Sequence, residues 1–229
     1  MSLSLAYRVA NAPLRPWPFA HIAVDGVLEG FRWIQGCPPD PQAFTKLGDT
    51  GRVPAGAYPQ RSVFYLGKPE YMSRLAGERR ALWQGVADEL LSDDVMRAFL
   101  GVFAPVLQQR FQGQRVRFRS EACLMRDAPG YALGPHTDSP RKVVSALFYL
   151  NGGLDDGTSL YVPKDRSFTC PGGPHHQRED FDRVTTIPFR PDTLFAFAKT
   201  DRSFHGVEPV PEGAPTRELL LYDVYLAGA

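Results

Sequence analysis

The sequence predicts a mainly β protein with flanking helices, built on a jelly-roll or barrel core rather than a parallel βαβ fold. Three observations carry this. Residues 71–111 repeat apolar side chains at helical spacing; beyond Gly113 the period falls to two in six segments; and the 21 prolines and 21 glycines are spread along all 229 residues. Helices that precede the strands, instead of alternating with them, belong on one outer face of a sheet structure. The punctuation marks no linker, so one domain is expected over residues 1–229, with helical support at about 70–112 and a jelly-roll core at about 113–229.

Residues 13–69 are rich in proline and glycine, with short apolar stretches at 21–24 and 62–66 that fit strands. Next, Leu75, Leu82, Val86 and Leu90, then Val95, Met96, Phe99, Leu100, Phe103 and Leu107, recur at helical spacing. Ser92, followed by Asp93 and Asp94, reads as an N-cap with acidic first-turn residues, so two helices should break near Leu91. Pro105 should bend or shorten the second. Strands are expected at 115–119, 121–126, 142–150, 158–162, 193–198 and 217–226, each bounded by Gly, Pro, Asn or Asp. Residues 164–188 read as a long loop.

Composition excludes several classes. Hydrophobic residues make up 43% and charged residues 22%, enough for a sizeable core and unlike a disordered chain. With 26 basic against 25 acidic residues the net charge is +1, so neither nucleic acid nor an anionic membrane is an expected partner, although a local basic pocket stays open. Cys37, Cys123 and Cys170 include no CxxC pair, which argues against a disulfide framework or a thiolate zinc site and favours the cytoplasm. The longest apolar run, 143–150, is too short to span a bilayer, and the first residues lack the order of a signal peptide.

The chemistry concentrates in Gly134-Pro135-His136-Thr137-Asp138-Ser139-Pro140. In an extended chain residues i and i+2 share a face about 6–7 Å apart, so the imidazole of His136 and the carboxylate of Asp138 can converge on one cation. An isolated HxD is weak. His205, 69 residues on and just after the apolar run Leu194-Phe195-Ala196-Phe197, completes a set of two histidines and a carboxylate. Such a facial triad leaves positions open on an octahedral metal, and iron(II) is its natural occupant; zinc would satisfy the same ligands. Arg217 stands twelve residues after His205 at the start of an expected strand, where its fork could grip a carboxylate, or cap the strand as a surface arginine.

HxD, then His, then Arg at these distances resembles the iron(II)/2-oxoglutarate-dependent dioxygenases, and the prolyl-4-hydroxylase-like branch in particular. The resemblance covers roughly residues 122–226. Residues 142–151 match the strand that follows the HxD turn, with Tyr149 at the place of a tyrosine that binds the distal carboxylate of 2-oxoglutarate in some members. Gly157-Thr158-Ser159-Leu160-Tyr161 looks like the start of the next strand, and residues 18–25 resemble the strand that often opens this class.

The resemblance implies a double-stranded β-helix (cupin-like jelly roll), with His136, Asp138 and His205 as iron ligands and Arg217 and Tyr149 as holders of 2-oxoglutarate. The cofactors implied are Fe(II), 2-oxoglutarate and O2, with ascorbate as a candidate accessory. The implied reaction hydroxylates an unactivated C–H bond of a small-molecule or amino-acid-like substrate and releases succinate and carbon dioxide. Two features depart from the pattern: Pro209, Pro211, Gly213 and Pro215 lengthen the hairpin before Arg217, leaving Lys199 and Arg202 as the next candidates, and the 164–188 segment is larger than a tight turn.

Around the triad, Arg126, Arg141, His175, His176 and Asp223 are candidate substrate contacts. Asp223 shares strand parity with Arg217 and should face the same interior, where a carboxylate needs a partner. Lys142 reads more simply as a solvated edge. Adjacent His175 and His176 point to opposite faces of an extended chain, which favours a mobile, substrate-selecting lid over a second metal site. A 2-oxoglutarate-independent cupin-type metalloenzyme and a jelly-roll small-molecule binding module are the alternatives; oligomeric state is not encoded in these motifs.

Overall fold

The computed structural model describes residues 4–152 and 154–228. In chain order the elements are α1 (Leu5–Ala10), β1 (His21–Asp25), α2 (Phe31–Gly36), β2 (Thr45–Lys46), β3 (Arg61–Leu66), α3 (Pro69–Met72), α4 (Gly77–Leu90), α5 (Asp93–Val102) and α6 (Ala104–Phe111). There follow β4 (Phe118–Asp127), β5 (Leu133–His136), β6 (Lys142–Tyr149), β7 (Leu154–Pro163), β8 (Phe181–Phe189), β9 (Thr193–Ala198), β10 (His205–Val207) and β11 (Arg217–Leu226). They form a seven-stranded sheet, β1-β9-β6-β11-β4-β3-β2, and a four-stranded sheet, β5-β10-β7-β8, with antiparallel pairing throughout. This is a jelly roll.

Strand alternation separates the two faces of the large sheet. On β11, Leu220, Tyr222 and Val224 turn outward, and Phe99 of α5 stacks on Tyr222 at 5.2 Å between ring centroids. Arg217, Leu219, Leu221 and Asp223 turn inward, toward the small sheet. The sheets touch through Tyr149 of β6 and Thr158 of β7, whose hydroxyls lie 2.8 Å apart, and through the rings of Phe197 and His205 at 4.4 Å.

The helical region follows its sequence signals. Ser92 caps α5 by accepting from the Val95 N–H at 3.4 Å, and the break falls at Leu91 and Ser92 as expected. Pro105 acts differently: α5 ends at Val102, and Pro105 sits in the first turn of a separate helix, α6, where its missing N–H costs nothing. Among the described residues, no helix is long and apolar enough to cross a membrane.

Two strand expectations are corrected. The segments 115–119 and 121–126 merge into the single strand β4, which begins only at Phe118. The 164–188 loop is shorter than expected, because 181–188 belongs to β8. That strand is at the edge of the small sheet, and Asp182, Arg183, Val184 and Thr185 are all exposed, so it carries no apolar alternation to betray it.

Candidate active site

Two short strands place the histidines. His136 ends β5, His205 begins β10, and the two are direct partners in the sheet with rings 4.3 Å apart. Gly206 permits this pairing, since a Cβ there would lie 2.6 Å from the Leu133 carbonyl oxygen. Asp138 follows with φ of 38°, a strained value for a residue with a side chain, and strain of this kind collects at functional sites. One donor atom from each of His136, Asp138 and His205 lies within 4.8 Å of the others.

Each candidate ligand is oriented from behind. His136 Nδ1 donates to the Gly134 carbonyl and His205 Nδ1 to the Ser203 carbonyl, both at 3.0 Å, which leaves each Nε2 as a free lone pair facing Asp138. Asp138 Oδ2 accepts from Ser145 Oγ at 2.8 Å, and Oδ1 lies 3.2 Å from Lys142 Nζ. Burial pushes the His136 imidazole down to about 3, with His205 adding to it, and burial also lowers His205. Burial alone would raise Asp138, but the Lys142 ammonium, with the hydrogen bond from Ser145, outweighs it and holds the carboxyl below its usual range. The set is therefore two neutral imidazoles and one carboxylate, the protonation state a divalent metal requires.

Lys142 corrects the reading of a solvated edge. Its ammonium bridges Asp138 and Asp223, at 3.2 and 3.1 Å, and the two carboxylates raise it despite its burial. Asp223 is 4% exposed and also accepts from Tyr225 Oη at 3.1 Å, so the partners its buried carboxylate needs are Lys142 and Tyr225.

His136 and Asp138 open into a cavity of about 590 Å³ whose lining includes Arg141, His175 and Asp223 among the expected contacts. His175 stands at its mouth, ring 4.6 Å from that of His136 and Nε2 3.5 Å from Tyr58 Oη. His176 points away, into a cluster of Phe168, Phe181 and Phe204. Arg126 is also displaced: it pairs with Glu218 and lies over the Phe44 ring on the outer face, because the inward parity of β4 belongs to Asp127, Met125 and Cys123. Neither His176 nor Arg126 lines the cavity.

The loop at 164–180 is fastened down rather than poised as a free lid. Thr137 Oγ1 donates to the Cys170 carbonyl and Lys199 Nζ to the Pro171 carbonyl, both at 2.7 Å, and the His176 N–H donates to the Pro135 carbonyl at 2.8 Å. This occupies Lys199, which is thereby removed as an alternative to Arg217, and Arg202 is exposed. Gly172, with φ of +129°, packs so closely that a Cβ would lie 2.3 Å from the Asp138 carbonyl oxygen. Gly172→Ala is expected to cost at least about 1–3 kcal/mol of stability and to loosen the ligand turn, lowering both the denaturant midpoint and metal affinity. Equal midpoints would show that the loop yields freely.

At the opposite end of β6 and β11 from Ser145 and Asp223 lies a second buried group of polar residues. Arg217 is 1% exposed; its Nη2 donates weakly to the Gly157 carbonyl at 3.3 Å and its guanidinium lies 4.5 Å over the Phe189 ring. Among the described residues its Nε and Nη1 have no hydrogen-bond partner, and Asp127 stays at 3.7 Å because Arg61 holds that carboxylate bidentately at 2.6 and 2.8 Å. Tyr149, bonded to Thr158, and the unpartnered Tyr131 hydroxyl lie nearby. Orphaned buried donors of this kind suit an anion such as a carboxylate. Sequence reasoning missed Ser145, Arg61, Tyr58, Arg52, Arg119 and Glu121; only Ser145 carried a signal, as an inward residue of the strand after the HxD turn.

Neither a family model nor a curated protein matches the sequence. Solved structures do match in fold. The non-heme alpha-ketoglutarate-dependent carbocyclase SnoK from nogalamycin biosynthesis superposes with a TM-score of 0.50 at 13% identity, over 90% of this chain and 79% of that one. A prolyl-4-hydroxylase of Pseudomonas putida gives 0.48 at 15% identity, over 98% and 97%. HygX of Streptomyces hygroscopicus, with nickel and 2-oxoglutarate bound, gives 0.48 at 12% identity, over 90% and 82%. The chain has the jelly-roll fold of the 2-oxoglutarate/iron(II) oxygenases.

Proposed function

We propose that this protein is an iron(II)- and 2-oxoglutarate-dependent dioxygenase that hydroxylates an unactivated C–H bond of a small molecule. The observation that carries the reading is the convergence of His136, Asp138 and His205 to within 4.8 Å, with His136 and Asp138 in the wall of a cavity. The three would hold iron(II), and Arg217, with Tyr149 beside it, would take the distal carboxylate of 2-oxoglutarate on its unpartnered Nε and Nη1. When bound, these groups supply the oxidising power: dioxygen and 2-oxoglutarate become succinate, carbon dioxide and the one oxygen atom inserted into the C–H bond.

What the chain itself contributes is positioning. The Gly134 and Ser203 carbonyls fix both imidazoles in one tautomer, Ser145 and Lys142 hold the Asp138 carboxylate ionised, and the fastened 164–180 loop covers the ligand turn. No general base is needed for hydrogen-atom removal. A cytoplasmic location belongs to the same reading, supported by three unpaired cysteines.

Anaerobic addition of iron(II) and then 2-oxoglutarate is expected to produce a weak visible charge-transfer band that neither component gives alone. Iron binding without the band would point to a 2-oxoglutarate-independent cupin-type metalloenzyme, and failure to bind iron to a binding module.

A further inference from the structure

The inner face of the large sheet carries a straight polar row. Ser145 of β6, Asp223 of β11 and Glu121 of β4 are directly opposed on three adjacent strands. The row begins at the triad, where Ser145 Oγ donates to Asp138. It ends two strand spacings away, about 10 Å, at a Glu121 carboxylate shared by Arg52 at 2.6 Å and by Arg119. Both guanidiniums are seated on rings, Arg52 over Tyr65 and Arg119 over Tyr225, each at 4.9 Å. Arg141 lines the same mouth, and its side chain makes no ion pair among the described residues.

The charges along this row do not balance evenly. Deep in the cavity Lys142 faces Asp138 and Asp223, and Arg61 is matched by Asp127. At the mouth, Arg52 and Arg119 both pair with the single carboxylate of Glu121 and the exposed Arg141 lines the same cavity, an excess of two positive charges that Asp223, sharing Lys142 with Asp138, offsets only in part. Planar forks fixed on aromatic faces, with one carboxylate among three of them, are a receptor for a further carboxylate or phosphate. A cavity of about 590 Å³ admits a small molecule rather than a macromolecule.

Resting on the oxygenase reading above, we propose that the substrate is a small organic anion whose carboxylate or phosphate is held by Arg52, Arg119 and Arg141. Its reacting C–H bond then lies several bonds from the anionic group, at the triad end of the row. Arg52 and Arg119 are specificity-determining residues, and Glu121 sets their spacing while competing for them.

The test uses the full chain loaded with nickel(II) and saturating 2-oxoglutarate, which blocks turnover. Calorimetric binding of hexanoate and of pentyl phosphate is compared with that of neutral hexanamide and hexan-1-ol. At least one anion is expected to bind ten-fold or more tightly than the neutral compounds, and which one separates carboxylate from phosphate as the anchor. That preference should fall to near unity in Arg52→Gln and Arg119→Gln, with circular dichroism confirming the fold, and should rise in Glu121→Gln, a gain that a purely structural network would not produce. Absence of any anion preference in the wild type, or its survival in both arginine variants, overturns the proposal. Failure of the wild type to take up nickel or 2-oxoglutarate would instead sink the oxygenase reading.

Discussion

Replacing His136, Asp138 or His205 by alanine is expected to strip the metal while the fold survives. Two ligands on an open-sided site hold a divalent ion poorly, and the loss should exceed the roughly 10–100-fold that removing a ligand's hydrogen-bond partner costs. The fold should stand because the histidines sit at the ends of β5 and β10, where truncation leaves the backbone pairing intact, and because Lys142 keeps Asp223 as a partner when Asp138 is lost. Elemental analysis beside circular dichroism reads both quantities. Stoichiometric iron in all three variants would refute the assignment.

The second large effect belongs to Arg217→Met. Loss of a charge-assisted pair to a buried carboxylate is worth roughly 2–5 kcal/mol by truncation, which is a rise of about 30-fold to a few thousand-fold in the 2-oxoglutarate dissociation constant. Iron affinity should change far less, since Arg217 lies at the other end of β11 from Asp223, whose partner Lys142 contacts the candidate ligand Asp138. Arg217→Lys guards against a folding artefact, because it keeps the charge but loses the fork, and should fall between the two. Unchanged 2-oxoglutarate affinity in both variants would move the assignment to Arg61, which lines the cavity but is already engaged by Asp127.

The parts of this molecule legible from sequence are those whose physics is local. The helices at α4 and α5 announce themselves by apolar spacing and by Ser92, and β6, β9 and β11 by apolar runs. The triad is legible because two of its members sit two residues apart and the third follows an apolar strand. What stayed hidden is what depends on partners far along the chain. Strands β5 and β10 are short and interrupted by Gly134, Pro135 and Gly206, so they carry no run to detect. The ion pairs of Lys142 and the clasp of Glu121 by Arg52 join separate segments, and their residues resemble surface charges one at a time. Arg126 and Asp127 show the limit well: neighbours on one strand, they face opposite sides, and only the register with β11 and β3 decides which turns inward.

The position of β11 bears on how the protein reaches this state. It is the last described strand in chain order, yet it lies in the middle of the large sheet between β4 and β6, and β1 closes that sheet by pairing His21 with Phe197. A nascent chain that has emerged as far as the HxD turn therefore has no completed sheet to rest on, and neither β5 nor β10 is long enough to hold its histidine in place alone. Pairings this distant in sequence make folding slow, in roughly the millisecond-to-second range of non-local β topologies. On the proposed function, metal capture is expected to follow closure of the sheet instead of guiding it, so that the chain first passes through a stage with unpaired strand edges, at which aggregation competes.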